Sequence, residues 1–295
     1  MTLQRLPLIL LAASLAWACD QDGSAWPDGT TDGTADGTID TPTEPGLDPI
    51  EESVPDGTEE PATDPVDDTG TYDGVPGAFS QTFNARNYRL YVPSSYSHST
   101  PIPVVIGFHG AGDTGSNFYT IVDAYGWTAA ADSGPFILIV PDTKSPYSDF
   151  AVWSGDPMDD FDEMFTEMSD ILDLVADVGI HYNLDTESMY AFGFSDGGLF
   201  LAVAGFQYAA DFSGFVIAGY GWGGAYATTP SWLIPVYMIC GTADSFYTYA
   251  EQTQTFLAGQ GHPLEWVPVS GVGHTFSALM SASSPATIYG WLSSH

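Results

Sequence analysis

Gly193-Phe194-Ser195-Asp196-Gly197-Gly198 stands between one apolar run, SMYAF at 188–192, and a second, LFLAVAGF at 199–206. A plain turn needs one residue able to take positive φ, not small residues on both sides of a polar one. The spelling G-x-S-x-G fits a nucleophile elbow, where a serine occupies a strained strand-to-helix turn and the glycines let strand and helix pass close by. Short Gly/Ser patterns arise often by chance, so the flanking chain has to supply the context.

Extended apolar runs recur on both sides: FNARNYRLYV (83–92), PVVIGF (103–108), FILIV (136–140), SMYAFGF (188–194), GFVIAG (214–219), PVYMIC (235–240) and LEWVPV (264–269). The third to sixth are nearly continuous in apolar residues, as strands buried on both faces are. Helical patterns lie between them. Over 159–178, Phe161, Met164, Phe165, Met168, Ile171, Leu172 and Val175 keep an i, i+3, i+4, i+7 stripe, and the Asp and Glu residues opposite read as a solvated face. Strands alternating with helices predict an α/β fold, a mostly parallel sheet with helices on both faces and no insertion long enough for a large lid. The serine then falls at the carboxyl end of a strand, where open α/β sheets carry their sites.

A serine hydroxyl becomes a nucleophile only when a positioned base takes its proton, and that base needs an orienting acid. Of six histidines, His274 lies just past a strand in the glycine-rich loop Ser270-Gly271-Val272-Gly273-His274, unlike His98, His181, His262 and His295, and is the expected base. Asp244, in Cys240-Gly241-Thr242-Ala243-Asp244, follows a strand and is the expected acid; its rival Asp211 precedes one. The order Ser195, Asp244, His274 is that of the α/β-hydrolase fold. Acyl transfer also needs preset N–H donors for an oxyanion. These are expected from Asp196 and from Ala111, with Gly112 as the alternative to Ala111, in His109-Gly110-Ala111-Gly112; His109 reads as a residue holding that loop.

The N-terminal part has another character. Residues 1–19, MTLQRLPLILLAASLAWAC, carry one Arg and then a short apolar run, the layout of a signal peptide. Leu15-Ala16-Trp17-Ala18-Cys19 is similar to a lipobox, which makes Cys19 the expected lipidation site; the alternative is ordinary cleavage with Cys19 incidental. Residues 20–73 hold 17 Asp and Glu, no Lys or Arg, and few large apolar residues, too little to offset the entropy of ordering. Their Asp-Gly-Thr units lack the spacing and closing Glu of a calcium loop, so a solvated acidic tether is the reading, with no metal site. Residues 74–295 make the catalytic domain. Of the chain's 38 acids, 21 remain there against Arg86, Arg89 and Lys144, a net charge of −18. Such a domain does not hold nucleic acid through phosphate contacts.

The series RNYRLYVPSSY, PVVIGFHGAG, GFSDGG, GTAD and GVGH resembles the polyhydroxybutyrate depolymerase, feruloyl esterase and acetyl-xylan esterase group of α/β-hydrolases over residues 79–292. The resemblance implies a cofactor-free serine esterase acting outside the cytoplasm, secreted or held at a membrane through a lipid anchor. Two positions depart from the group: Cys240, where it commonly has His, and Asp196, where it has Asn or a small residue. The expected substrate is a neutral ester, polymeric or oligomeric, stacked on aromatic residues near the sheet edge, Trp153 and Trp222 foremost, with Tyr220 and Tyr226 beside them. Two other functions compete, a peptidase on the same fold and a catalytically silent surface-binding module.

Overall fold

The computed structural model describes residues 72–144, 153, 161–220 and 232–295. The chain divides into two units, Met1–Asp64 and Pro65–His295, and every described residue belongs to the second. Cys19, the tether up to residue 71, Trp222 and Tyr226 lie outside the described residues.

The apolar runs become the strands β1 (Gly77–Phe83), β2 (Arg86–Val92), β3 (Ile102–Phe108), β4 (Ile137–Pro141), β5 (Leu184–Phe194), β6 (Gly214–Ala218), β7 (Val236–Gly241) and β8 (Leu264–Val269). They form one sheet in the order β1-β2-β4-β3-β5-β6-β7-β8. From β4 to β8 neighbouring strands are parallel, while β1 and β2 pair antiparallel, and β2 runs antiparallel to β4. Every residue of β4, β6 and β7 is buried, as their continuous apolar character requires.

Side chains alternate between two cores, one on each face. Ile106, Phe108, Ala191, Ile217 and Met238 point to the first, where α3 (Asp162–His181), α4 (Asp196–Phe200, continued by a π-helical turn over Leu201–Gly205) and α5 (Tyr247–Gln260) pack. Val105, Leu138, Phe192, Val216 and Ile239 point to the second, covered by α1 (Gly115–Ala124), α2 (Trp127–Ser133), α6 (Phe276–Ala282) and α7 (Pro285–Leu292).

Two details differ from the sequence reading. FNARNYRLYV is not one extended run, because Asn84 (φ 45) and Ala85 (φ 64) turn the chain into a hairpin between β1 and β2. Adjacent left-handed residues make the two-residue turn whose twist matches the flanking strands, but Asn-Ala lacks the glycine that announces it. The acidic face of α3 is also not wholly solvated. Arg86, 1 % exposed, reaches it from β2 and grips Glu167 with both terminal nitrogens at 2.7 and 2.9 Å, while its Nη1 also donates to the Asp142 carbonyl at 2.6 Å. Lys144 Nζ meets Asp170 at 3.0 Å, and Arg89 lies 4.6 Å over the ring of Tyr119.

Candidate active site

Ser195 sits between the end of β5 and the start of α4 with φ 56 and ψ −118, a conformation that non-glycine residues rarely adopt and that the surroundings must hold. Its N–H donates to the Ala218 carbonyl at 2.9 Å, and its carbonyl accepts from Leu199 N at 3.0 Å. The two glycines of the motif are required by backbone approach. A Cβ at Gly193 would lie 2.1 Å from the Gly197 carbonyl oxygen, and one at Gly197 would lie 2.2 Å from the oxygen of Phe108. Strand β5, helix α4 and the end of β3 therefore converge under the serine without room for a methyl group.

The three residues expected from their strand-end positions meet above this turn. His274 Nε2 is 2.8 Å from Ser195 Oγ, and His274 Nδ1 is 2.8 Å from Asp244 Oδ2. A carboxylate only accepts, so Nδ1 carries the hydrogen and Nε2 presents its lone pair to the serine hydroxyl. The other carboxylate oxygen, Oδ1, accepts from Phe246 N at 2.9 Å. The Asp244 side chain is fully buried, whereas that of His274 is 20 % exposed, so solvent reaches the imidazole but not the carboxylate. Such a chain can draw a proton from the hydroxyl and hold the resulting imidazolium in one orientation. The other histidines bond elsewhere: His98 to the Gly74 carbonyl, His109 to that of Gly110, His181 to Asp73, His262 to Ile234 and His295 to the Trp291 carbonyl. Asp211 ends a short turn before β6, at the opposite end of the strands from Ser195.

Two residues missed in the sequence reading flank the imidazole. The Phe194 ring stacks on His274 at 4.8 Å and 25°, and the Phe246 ring meets it edge-on at 5.1 Å. Phe194 is the variable position of the motif, and Phe246 carries no signal beyond standing two residues after Asp244. Tyr220, one of the expected aromatics, packs against Phe246 at 4.4 Å and runs parallel to Tyr249 at 6.1 Å. Burial, with the nearby Tyr249 and Asp196, pushes its phenol up to about 12.

The loop after β3 lies against the serine, since a Cβ on Gly110 would stand 3.3 Å from Ser195 Cβ. Ala111 and Gly112 follow at the surface. His109 is fully buried, with Nδ1 2.8 Å from the Gly110 carbonyl; the carbonyl cannot donate, so Nδ1 holds the hydrogen. Burial lowers the pKa of this imidazole below its ordinary 6.5 and favours the neutral form.

Trp153 corrects the sequence reading. It is 2 % exposed, not a stacking surface: its ring is sandwiched among Phe108 (5.0 Å), His109 (4.8 Å) and Phe200 (5.3 Å). The Asp196 carboxylate also turns inward, accepting from Trp153 N at 2.7 Å, with the residue 9 % exposed. Cys240 is fully buried on β7, its thiol pushed up to about 12 by burial and then by Asp244.

No protein-family model matches the chain, and no curated protein matches it by sequence. Solved structures do match. A thermostable esterase aligns with TM-score 0.57 and 19 % identity over 74 % of this chain, which spans 62 % of that protein's length. The acetyl xylan esterase from Aspergillus awamori aligns with TM-score 0.55 and 16 % identity over 72 % of this chain and 99 % of the other. A ferulic acid esterase from Anaeromyces mucronatus, in complex with ferulic acid, gives TM-score 0.55 and 15 % identity over 74 % and 90 %. At these identities the likeness establishes the fold, that of the α/β-hydrolases.

Proposed function

We propose that the protein is a serine esterase in which Ser195 is the nucleophile, His274 the general base and Asp244 the orienting acid. The observation that carries this reading is the relay of two 2.8 Å contacts, Ser195 Oγ to His274 Nε2 and His274 Nδ1 to Asp244 Oδ2, built on a serine held at φ 56. Ser195 Oγ attacks the ester carbonyl carbon while its proton passes to His274 Nε2. The carbonyl oxygen becomes an oxyanion received by the N–H groups of Asp196 and Ala111. As the tetrahedral species collapses, the C–O bond to the alcohol breaks and His274 gives that oxygen the proton. Water then attacks the acyl-serine, again losing its proton to His274, and the acid leaves as the proton returns to Ser195.

Electrostatics narrow the substrate. Arg86, Arg89 and Lys144 are the only Lys and Arg residues after residue 5, and all three have partners away from the serine. An anionic ester would therefore meet a domain of net charge −18 with no cation at the site. Neutral short-chain or aromatic acyl esters, from polyesters or from acetylated or feruloylated polysaccharides, are the substrates inferred. Export with acylation of Cys19, and an acidic tether between anchor and enzyme, completes the proposal; its support is the layout of residues 1–73.

The test is a set of p-nitrophenyl esters from acetate to long-chain acyl groups, with feruloyl esters, polyhydroxybutyrate and an amide counterpart. Turnover on short or feruloyl esters, abolished in Ser195→Ala, is expected. Amide cleavage exceeding ester cleavage would favour a peptidase, and no turnover on any of them refutes the esterase reading.

A further inference from the structure

The departure at Asp196 and the burial of Trp153 have one explanation. We propose that Trp153 is a positioning residue that clamps together the two segments expected to supply the oxyanion donors, an inference that rests on the esterase reading above. Its backbone N–H donates to Asp196 Oδ2 at 2.7 Å, and its indole Nε1–H donates to the His109 carbonyl at 2.9 Å. One residue thus holds the first residue of α4 with one group and the loop after β3 with another.

Peptide geometry carries these bonds to the donors. In a trans peptide the C=O and the following N–H point in opposite directions, so fixing one fixes the other. The indole bond fixes the 109–110 peptide. The next plane is fixed from within the loop, because the Gly110 carbonyl accepts from His109 Nδ1 at 2.8 Å and from Asp113 N at 3.2 Å. With that carbonyl tied on one side, the Ala111 N–H is aimed to the other, in a loop so close to the serine that a Cβ on Gly110 would stand 3.3 Å from Ser195 Cβ. The His109 ring that makes this bond packs on the Trp153 ring at 4.8 Å, so Trp153 steadies both planes. On the other side, a buried carboxylate is costly unless hydrogen-bonded. Trp153 N–H supplies such a bond to Asp196, whose own N–H is the second donor. An asparagine there keeps an oxygen for Trp153 N–H; alanine does not.

The experiment reads Ser195 directly with a fluorophosphonate probe, scoring both the labelled fraction at completion and the second-order rate of labelling, alongside kcat and KM for p-nitrophenyl acetate. Trp153→Phe keeps a ring among Phe108, His109 and Phe200 but removes the indole donor. Removing an oxyanion donor outright costs on the order of 100- to 1000-fold, so mis-aiming one is expected to lower labelling rate and kcat by about 10- to 100-fold. KM and the labelled fraction should hold. Asp196→Ala should fall comparably and Asp196→Asn distinctly less. A Trp153→Phe protein that labels fully and at the wild-type rate overturns the clamp. So does one whose labelled fraction drops while the rate per reactive site is unchanged, since that is loss of folded protein only. If the wild type labels but cleaves no ester, the esterase reading fails and the labelling rates still decide the clamp. A wild type that does not label overturns both.

Discussion

Replacing Asp244 by Asn changes one atom, and the surrounding bonds determine what that atom does. Asp244 Oδ1 accepts from Phe246 N at 2.9 Å and Oδ2 accepts from His274 Nδ1 at 2.8 Å. An asparagine has one oxygen and one NH2 for these two donors. The backbone N–H of Phe246 cannot change its role, so the amide oxygen is held there and the NH2 is turned toward the imidazole. His274 must then place its hydrogen on Nε2 and present a lone pair at Nδ1. Nε2–H now faces Ser195 Oγ, and the base can no longer take the serine proton. The same tautomer reversal in a Ser-His-Asp enzyme lowers kcat by roughly 10,000-fold, about 5 kcal/mol of transition-state stabilisation. Because the side chain is fully buried, no water relieves the mismatch. Steady-state hydrolysis of p-nitrophenyl acetate is the assay, with Asp211→Asn as the control expected to stay within a few-fold of wild type. An Asp244→Asn enzyme that keeps a tenth of wild-type kcat, or that changes only KM, would refute the assignment.

Other outcomes follow from the same geometry. Phe194→Leu, which removes the ring stacked on His274, should lower kcat by about 3- to 10-fold with KM little changed, matching the ~0.5–1.5 kcal/mol of an aromatic pair; an effect confined to KM contradicts this. Arg86→Ala removes both guanidinium contacts from Glu167, which keeps the Lys144 N–H, and the one to the Asp142 carbonyl; loss of one partner of a buried pair costs about 3–5 kcal/mol, a drop of roughly 6–20 °C in Tm for a domain this size. A change of only a degree or two would show the contact to be idle. Cys240, buried with its thiol near 12, should resist iodoacetamide at pH 8 in the native protein and react after unfolding; native-state labelling contradicts it. Burial lowers the pKa of His262 below its unfolded 6.5, so the unfolded chain binds the extra proton and stability is lost as pH falls through and below 6.5. The urea midpoint of His262→Gln should therefore fall less between pH 7 and pH 5 than that of wild type, and parallel curves would refute the assignment.

What could be read from the sequence and what could not divides along a physical line. Strands buried on both faces announce themselves by continuous apolar residues, so FILIV, GFVIAG and PVYMIC fall within a residue or two of β4, β6 and β7. Once those strands are parallel, residues just past their carboxyl ends share one edge, which is why the sequence alone gathers Ser195, Asp244 and His274 there. Pairings that depend on side-chain direction were out of reach. Nothing in the spelling of α3 separates Glu167, which meets Arg86, from Glu163, which does not figure in that pairing. Trp153 read as a surface aromatic because aromatic residues near a strand end serve either as platforms or as packing, and its indole bond to the His109 carbonyl spans 44 positions in the chain. The hairpin at Asn84–Ala85 was hidden for a local reason, a left-handed turn made without glycine.

The charge pattern adds a constraint on how such a site must work. A domain with 21 acids and three bases offers no spare cation for a developing oxyanion, and the bases present are committed to α3 and to the ring of Tyr119. The nearest carboxylate to Ser195 in sequence, Asp196, is held by the Trp153 N–H. Asp244 is buried behind His274, where its carboxylate holds the ring by Nδ1 at 2.8 Å. In the proposed reaction no Lys or Arg is free to meet the negative charge on the substrate oxygen, and beside the His274 imidazolium it is met by the backbone N–H dipoles of Asp196 and Ala111, which carry no net charge to attract salt or anionic competitors. Dipoles act only at short range and in a fixed direction, so their worth depends on aim more than a full charge would. That is the reason the clamp between Trp153, Asp196 and His109 should matter more in this acidic protein than the same bonds would beside an arginine. Raising ionic strength offers a measure of it. With neutral p-nitrophenyl acetate, kcat should be nearly flat from low to high salt in the wild type, because no screened charge pair stabilises the oxyanion. A steep fall in kcat with salt would mean that a mobile cationic group takes part, and the dipole account would have to be abandoned.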